Sequence, residues 1–332
     1  MISHSAIKKT AEFMLENHPD PVVKFLLYRD IIKLKIDSQE FLRVHRKLLK
    51  SKWIKQLAEE QMADGSWGRF HSMNTKLKKK IPTTEFGVYR AINLGLSEKD
   101  EILNKTTNYL KKLLTKEVQW PDNKESNDRW QIGENLFISA TLSQIKPDDP
   151  ILNETIARWI EIAERTFESG CYDPKAEWKA HCDITGATTM RNSYLVINNR
   201  YSVQILGSRK NLLSKKIEKA YVDWLWNKKD GISYIGIPLF ISLKSIKPIN
   251  IDRWFSSHEL MSKYPEWKNL SETSMNELYQ LKNKQNLWDF GPNAKSYNMH
   301  FSETWRKQKN RTFDHSLKTL LLLTRYIQRH RY

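Results

Sequence analysis

Residues 57–68 read Leu57-Ala58-Glu59-Glu60-Gln61-Met62-Ala63-Asp64-Gly65-Ser66-Trp67-Gly68. Trp53, Leu57 and Gln61 are four residues apart, the spacing of one helix face, and Asp64-Gly65-Ser66 is a turn that stops the helix. A tryptophan directly after such a turn belongs in a core or a cavity wall, because its ring is costly to expose. The same pairing of turn and aromatic residue returns along the chain. Gln119-Trp120-Pro121-Asp122 is a weaker echo. Gly170-Cys171-Tyr172-Asp173, Asp230-Gly231-Ile232-Ser233-Tyr234 and Gln285-Asn286-Leu287-Trp288-Asp289-Phe290-Gly291 follow. Neighbouring turns lie roughly 50 to 60 residues apart, the scale of a helix pair with its loops.

Between the turns the apolar spacing is helical. Thr84 opens a helix that Gly95 stops. Ile102, Leu103, Tyr109, Leu110, Leu113 and Leu114 repeat at three to four residues, and Leu136 to Leu142 form a face ended by Pro147. Asp149-Pro150 starts the helix that carries Ile156, Trp159, Ile160 and Ala163. Strand-like alternation is nearly absent, and only Ile232 to Leu243 is ambiguous. The expected class is all-α: helical hairpins, each with an apolar face that stacking on the next one buries. No flexible linker marks a boundary, so 1–332 is read as one helical-repeat domain.

Composition narrows the function. The chain has 332 residues, 39% hydrophobic and 28% charged, with a mean hydropathy of -0.65. No apolar run reaches the roughly 20 residues of a membrane span, and the first residues lack a signal-peptide core. A cytoplasmic protein is expected. Two cysteines, Cys171 and Cys182, build no disulfide framework. The net charge of +17 favours contact with polyanions. The densest basic run is Lys76-Leu77-Lys78-Lys79-Lys80, read either as a solvated loop or as a flap over an anionic ligand.

The first turn carries a specific resemblance. Leu57, Gln61, Gly65 and Trp67 stand as Leu-x3-Gln-x3-Gly-x-Trp. This resembles the QW repeat of squalene-hopene and oxidosqualene cyclases and is similar to the repeat of protein prenyltransferase β subunits. Leu281, Gln285 and Trp288 match it in part, and the other turns keep only glycine–aromatic fragments. The resemblance implies an α/α toroid of inner and outer helices around a central cavity, with Trp67, Trp120 and Tyr172 as ligand-binding candidates. It also implies an acid. Class II terpene cyclases carry Asp-x-Asp-Asp-Thr, and His181-Cys182-Asp183-Ile184-Thr185 aligned by its threonine puts Asp183 on the proton-donor position. His181 and Ile184 replace the flanking carboxylates. The candidate catalytic set is therefore Asp183 as acid, His181 as its orienting partner and Glu85 as a cavity carboxylate. An alternative makes Asp183 a helix N-cap ahead of Thr185.

Other chemistries are weaker. A zinc site on His181, Cys182 and Asp183 needs a distant ligand such as His71, His300 or His315, since sequence neighbours rarely converge on one ion. Glycosidase-like chemistry needs two carboxylates across a cleft, from among Glu85, Glu134, Asp183 and Glu303. No metal or cofactor is assigned. The expectation is a terpenoid-cyclase-like or prenyltransferase-like pocket protein for an apolar, isoprenoid-type ligand, with acid-initiated cyclisation as its candidate activity. The alternative is a non-catalytic basic repeat protein that binds nucleic acid or a protein partner. Trp305-Arg306-Lys307-Gln308-Lys309-Asn310-Arg311 and the terminal Arg325, Arg329, His330 and Arg331 would supply its phosphate contacts.

Overall fold

The computed structural model describes residues 2–73, 79–123, 129–188 and 195–328. It is all-helical. In chain order the helices are α1 (His4–Glu16), α2 (Pro21–Leu26), which runs on as a π-helical turn at Leu27–Ile32, α3 (Gln39–Leu49), α4 (Lys52–Glu60) and α5 (Thr84–Asn93). Then come α6 (Glu101–Leu114), α7 (Trp130–Ile145), α8 (Asn153–Thr166), α9 (Pro174–Thr185) and α10 (Arg200–Leu206). The last five are α11 (Lys215–Asn227), α12 (Ile251–Met261), α13 (Trp267–Leu270), α14 (Glu272–Gln280) and α15 (Gln308–Ile327). The ambiguous stretch after Ile232 forms turns, and one isolated bridge, Asn199 with Ser233, is the β-pairing found among the described residues. No helix among them is long and apolar enough to cross a membrane.

A single local device recurs at helix ends. The backbone N–H groups of His18, Gly65, Lys116, Gly170, Gly231 and Asn286 bond to the carbonyls of Leu15, Met62, Leu113, Phe167, Lys228 and Asn283. All six donors have positive φ, at 52°, 92°, 60°, 90°, 68° and 59°. Each positive-φ residue closes a tight turn that redirects the chain; at His18 and Lys116 the accepting carbonyl belongs to the helix itself, so these two are helix caps, and the other four turns lie just past the helix end. The turns follow α1, α4, α6, α8, α11 and α14. Four of them agree with turns visible in the sequence. The echo near Trp120 is displaced, since the cap itself sits at Lys116. The cap at His18 has neither glycine nor a following aromatic residue, so nothing in its composition announces it.

The first and last tryptophan turns share a further contact. The Trp67 N–H donates to Thr84 Oγ1 at 3.0 Å, and the Trp288 N–H donates to Ser316 Oγ at 2.9 Å. Gln61 ties the first turn to α6: Nε2 donates to the carbonyls of Gly65 and Ile102 at 3.1 and 2.9 Å and approaches Thr106 Oγ1 at 2.9 Å. Gln285 has no such place. Superposing the two turns puts Lys282, not Gln285, at the place of Gln61, and Gln285 is exposed. The partial sequence match at the last turn is therefore out of structural register by three residues.

The chain falls into two compact units: Met1–Glu59 with Asn93–Gly95 and Phe240–Tyr332, and Glu60–Ile92 with Leu96–Leu239. In the first, α15 is the buried centre. α1, α2, α12 and α14 pack against it, and Lys318 on α15 lies 2.8 Å from Glu259 on α12 with only 1% of its side chain exposed. In the second unit α7 is buried on almost every side, from Gly133 to Ser143, and α6 and α10 pack on it. A helix apolar all round belongs in such a central position. None of the twelve tryptophans is exposed.

Gly65 and Gly68 separate backbone strain from crowding. Both have φ above 90°, but a Cβ on Gly65 would stand 2.5 Å from the Lys105 carbonyl oxygen, whereas one on Gly68 meets nothing within 4 Å. Gly68→Ala is expected to cost about 1 kcal/mol, the left-handed penalty alone. Gly65→Ala is expected to cost about 3 kcal/mol, because packed backbone must also move. Urea unfolding of the two variants measures the difference, and equal losses would contradict the crowding at α6.

Candidate functional site

The site grows from three tethers in the second unit. The Thr84 and Glu85 N–H groups at the start of α5 donate to the carbonyls of Arg69 and Phe70 at 2.8 and 3.1 Å. That fixes one side of the segment before α5. The buried carboxylate of Asp122 fixes the other by accepting three successive backbone N–H groups, from Phe70, His71 and Ser72, at 2.7, 2.8 and 2.7 Å. The third tether is Asn199, whose Oδ1 caps α10 by accepting from Tyr201 and Ser202 at 2.8 and 2.9 Å. The chain then has little freedom over where His71, Glu85, Arg200 and Tyr201 go.

Those four side chains meet. His71 Nδ1 lies 2.9 Å from Glu85 Oε2, Tyr201 OH donates to the same oxygen at 2.9 Å, and Tyr201 OH is 2.9 Å from His71 Nδ1. Arg200 stands 3.7 Å from Glu85 Oε1. Rings surround them. His71 stacks on Phe137 at 5.2 Å, Phe137 meets Tyr201 at 4.6 Å, and Tyr234 stands edge-on to Tyr201 at 5.6 Å. Tyr234 is half exposed and held at φ 70°, a strained backbone for a bulky residue.

The electrostatics follow from the contacts. Burial disfavours charge on His71, but its hydrogen bond and attraction to Glu85 outweigh this and raise its pKa. Burial alone would raise the Glu85 carboxyl; Arg200, His71 and the Tyr201 hydroxyl hold it below the usual range instead. Burial, then the Glu85 charge, pushes Tyr201 well above an ordinary phenol, so its hydroxyl stays protonated. Arg200 carries the fixed positive charge beside Glu85, and with His71 and the Tyr201 hydroxyl it makes the spot rich in hydrogen-bond donors. The spot faces water: the side chains of His71 and Arg200 are 32% and 34% exposed.

A second Tyr–Glu–His group in the same unit is a useful contrast. Tyr172 OH donates to Glu177 at 2.6 Å, and His181 Nε2 lies 3.7 Å from Glu177. Glu177 also accepts the Ile197 N–H at 2.7 Å, while Tyr221 OH donates to the Ile197 carbonyl at 2.7 Å. His181 is 3% exposed, edge-on to Trp159, and both ring nitrogens are without hydrogen bonds. The same residue types here brace the backbone leading to Arg200 and Tyr201.

The structure scatters the sequence-derived set. Glu85 is at the centre of the cluster. Trp120 is half-buried against Phe70 and Trp130, next to the Asp122 tether. Trp67 is buried under α5, where Gly87 lets its ring approach, and it packs rather than lines a surface. Tyr172 stacks on Trp224 at 4.1 Å. Asp183 needs correction: it stands in the last turn of α9, not ahead of a helix, with its side chain 46% exposed and 3.0 Å from Arg165. A solvent-facing ion pair is not the dry position that protonation of an alkene requires, nor is it an N-cap. His181 partners Glu177, so it does not orient Asp183.

No three His, Cys, Asp or Glu side chains are grouped to hold a metal among the described residues. Of the basic run, Lys76 to Lys78 lie outside the described residues, as do Arg329 to Arg331. In the stretch after Trp305, Arg311 is held by both oxygens of Asp289 at 2.9 and 2.8 Å, and Trp305 stacks on His300 at 3.6 Å. Sequence reasoning did not find Tyr201, Arg200, Asp122 or Tyr234 as site residues. His71 appeared only as a remote metal ligand.

No protein-family model, no curated protein and no solved structure matches the chain.

The opposed shifts at the cluster set a pH window. His71, raised above 6.5, contributes stability that is complete below that value and lost as pH climbs through its folded pKa. Glu85, lowered below 4.5, contributes stability that is complete above that value and lost as pH falls through its folded pKa. The Tm difference between the wild type and His71→Ala, followed by calorimetry, is therefore expected to peak between pH 4.5 and 6.5. A pH-independent difference would rule the ion pair out.

Proposed function

We propose that the second unit carries an acid–base site for a small anionic ligand with an apolar portion. The observation that supports it most is the convergence of His71, Glu85 and Tyr201, within 2.9 Å of one another and open to water through His71. In the Glu177 group the histidine is buried, whereas here His71 and Arg200 are each about one third exposed. Two basic side chains reaching water over one buried carboxylate favour a ligand that brings negative charge.

In this reading Arg200 and His71 engage the anionic group, and Arg200 does so with a planar fork suited to oxyanions. Tyr201 keeps its proton and holds Glu85 in place through its hydroxyl, while His71, whose raised pKa Glu85 supports, is the group that can give a proton to the ligand and take it back. Tyr234, half exposed, takes the apolar part, and the buried Phe137 backs His71. An isoprenoid diphosphate fits this description, with its charged head at Arg200 and its tail along Tyr234. That is the level at which the terpenoid-cyclase-like and prenyltransferase-like resemblance enters, supported by the evenly spaced turns and by Gln61 at the first of them. Asp183 has no part in it.

Titration calorimetry with geranyl diphosphate and with inorganic diphosphate tests the proposal. Saturable binding by the wild type is expected, with affinity falling about tenfold, or 1.4 kcal/mol, in Arg200→Gln and in His71→Asn. Tyr201→Phe should leave affinity within about threefold, since its hydroxyl engages Glu85 rather than the charge of the ligand. A distant surface change, Lys219→Gln, should have no effect. Failure of both ligands to bind, or equal affinity in wild type, Arg200→Gln and His71→Asn, would refute the assignment.

A further inference from the structure

The two units share the charge unequally. The first holds 28 Lys and Arg against 15 Asp and Glu, so it carries +13 of the chain's +17. Within it, α3 is unusual. Its inner face, Phe41, Val44 and Leu48, is buried as an amphipathic helix requires. Its outer face is not uniformly polar. Leu42 and Leu49 are 47% and 40% exposed, and Ile36 in the turn before the helix is 65% exposed. Seven residues are close to two helical turns, so Leu42 and Leu49 project in the same direction about 10 Å apart. Arg46 lies between them on that stripe, and Lys47 and Lys50 flank it, all exposed. Glu40 is engaged by Arg43 through both oxygens at 2.9 Å, whereas Arg46, Lys47 and Lys50 form no ion pair with a described residue.

We infer that α3 and the turn leading into it form a docking face for an anionic lipid bilayer. The charge fixes the sign of the partner, and the aliphatic side chains decide its class. A nucleic-acid backbone rewards lysine and arginine but offers nothing to three exposed aliphatic residues. A bilayer rewards both, because short aliphatic side chains enter below the headgroups while the cations meet lipid phosphates above them. The inference concerns the first unit alone and stands or falls independently of the ligand proposed for the second.

Sedimentation of the full chain with vesicles is the test. Vesicles of phosphatidylcholine with about one third phosphatidylserine should pellet the protein, and pure phosphatidylcholine vesicles should not. Raising salt from about 0.1 M to about 0.5 M should weaken the binding severalfold. The double variant Leu42→Ser, Leu49→Ser changes no charge and leaves the buried Phe41, Val44 and Leu48 in place. It is expected to lower partitioning about tenfold at constant salt, and Arg46→Gln with Lys47→Gln about as much. No pelleting of the wild type with anionic vesicles overturns the inference without recourse to any variant. So does full pelleting of the leucine variant, which would mean adsorption by charge alone. A nucleic-acid duplex that binds wild type and leucine variant equally, and displaces both from vesicles, would overturn it in favour of the other polyanion.

Discussion

The left-handed turn that follows each of six helices is the constraint from which the architecture follows. Where a helix ends, the chain must change direction within a few residues. At six points this is done by one residue with positive φ whose N–H reaches back three residues. Only Gly65, Gly170 and Gly231 adopt that conformation without steric cost. His18 and Asn286 belong to the residue types that tolerate it, whereas Lys116 adopts it against its preference, so the packing around α6 must hold it there. The rhythm of the chain is thus a property of backbone geometry more than of any residue type. That is why it survives where the tryptophans and glutamines of the first turn do not.

The cluster at Glu85 depends on that geometry at one remove. The turn at Gly65 delivers the chain to the segment before α5, and Asp122, just past the cap at Lys116, grips three of its amides. Two separate loops therefore cooperate to aim His71. Tyr201 and Arg200 arrive from a third, where Asn199 starts α10 and the Glu177 carboxylate holds Ile197. The chemistry sits on the first turns of α5 and α10 and on the tethered segment before α5, where backbone amides are free for side chains to collect because no helix bond uses them.

Much of the fold was legible in the sequence for this reason. Helical periodicity predicts α5 to α8 closely, and Gly95, Pro147 and Asp149-Pro150 mark the boundaries they should. The site was far less legible. Glu85 stood out as a carboxylate at a helix start, but its partners at 71 and 200–201 come from segments up to 116 residues away, and no spacing rule links them. His181-Cys182-Asp183 misled in the opposite way. Adjacent residues on a helix point in different directions, so His181 turns inward to Glu177 while Asp183 turns outward to Arg165. The partial match at Gln285 shows the same hazard, because a motif read by spacing can be three residues out of structural register.

Lys318 and Glu259 illustrate how such a core restricts its own history. Their ammonium and carboxylate face each other where water hardly reaches. Replacing one alone strands the other as an uncompensated charge at a cost of about 3 to 5 kcal/mol, whereas replacing both with apolar residues is close to neutral. Single-step paths away from the pair are therefore closed while the two-step path is open. Lineages descended from this chain should keep both residues or lose both, so the joint state of positions 259 and 318 can serve as a heritable marker of kinship among sequences that otherwise share little.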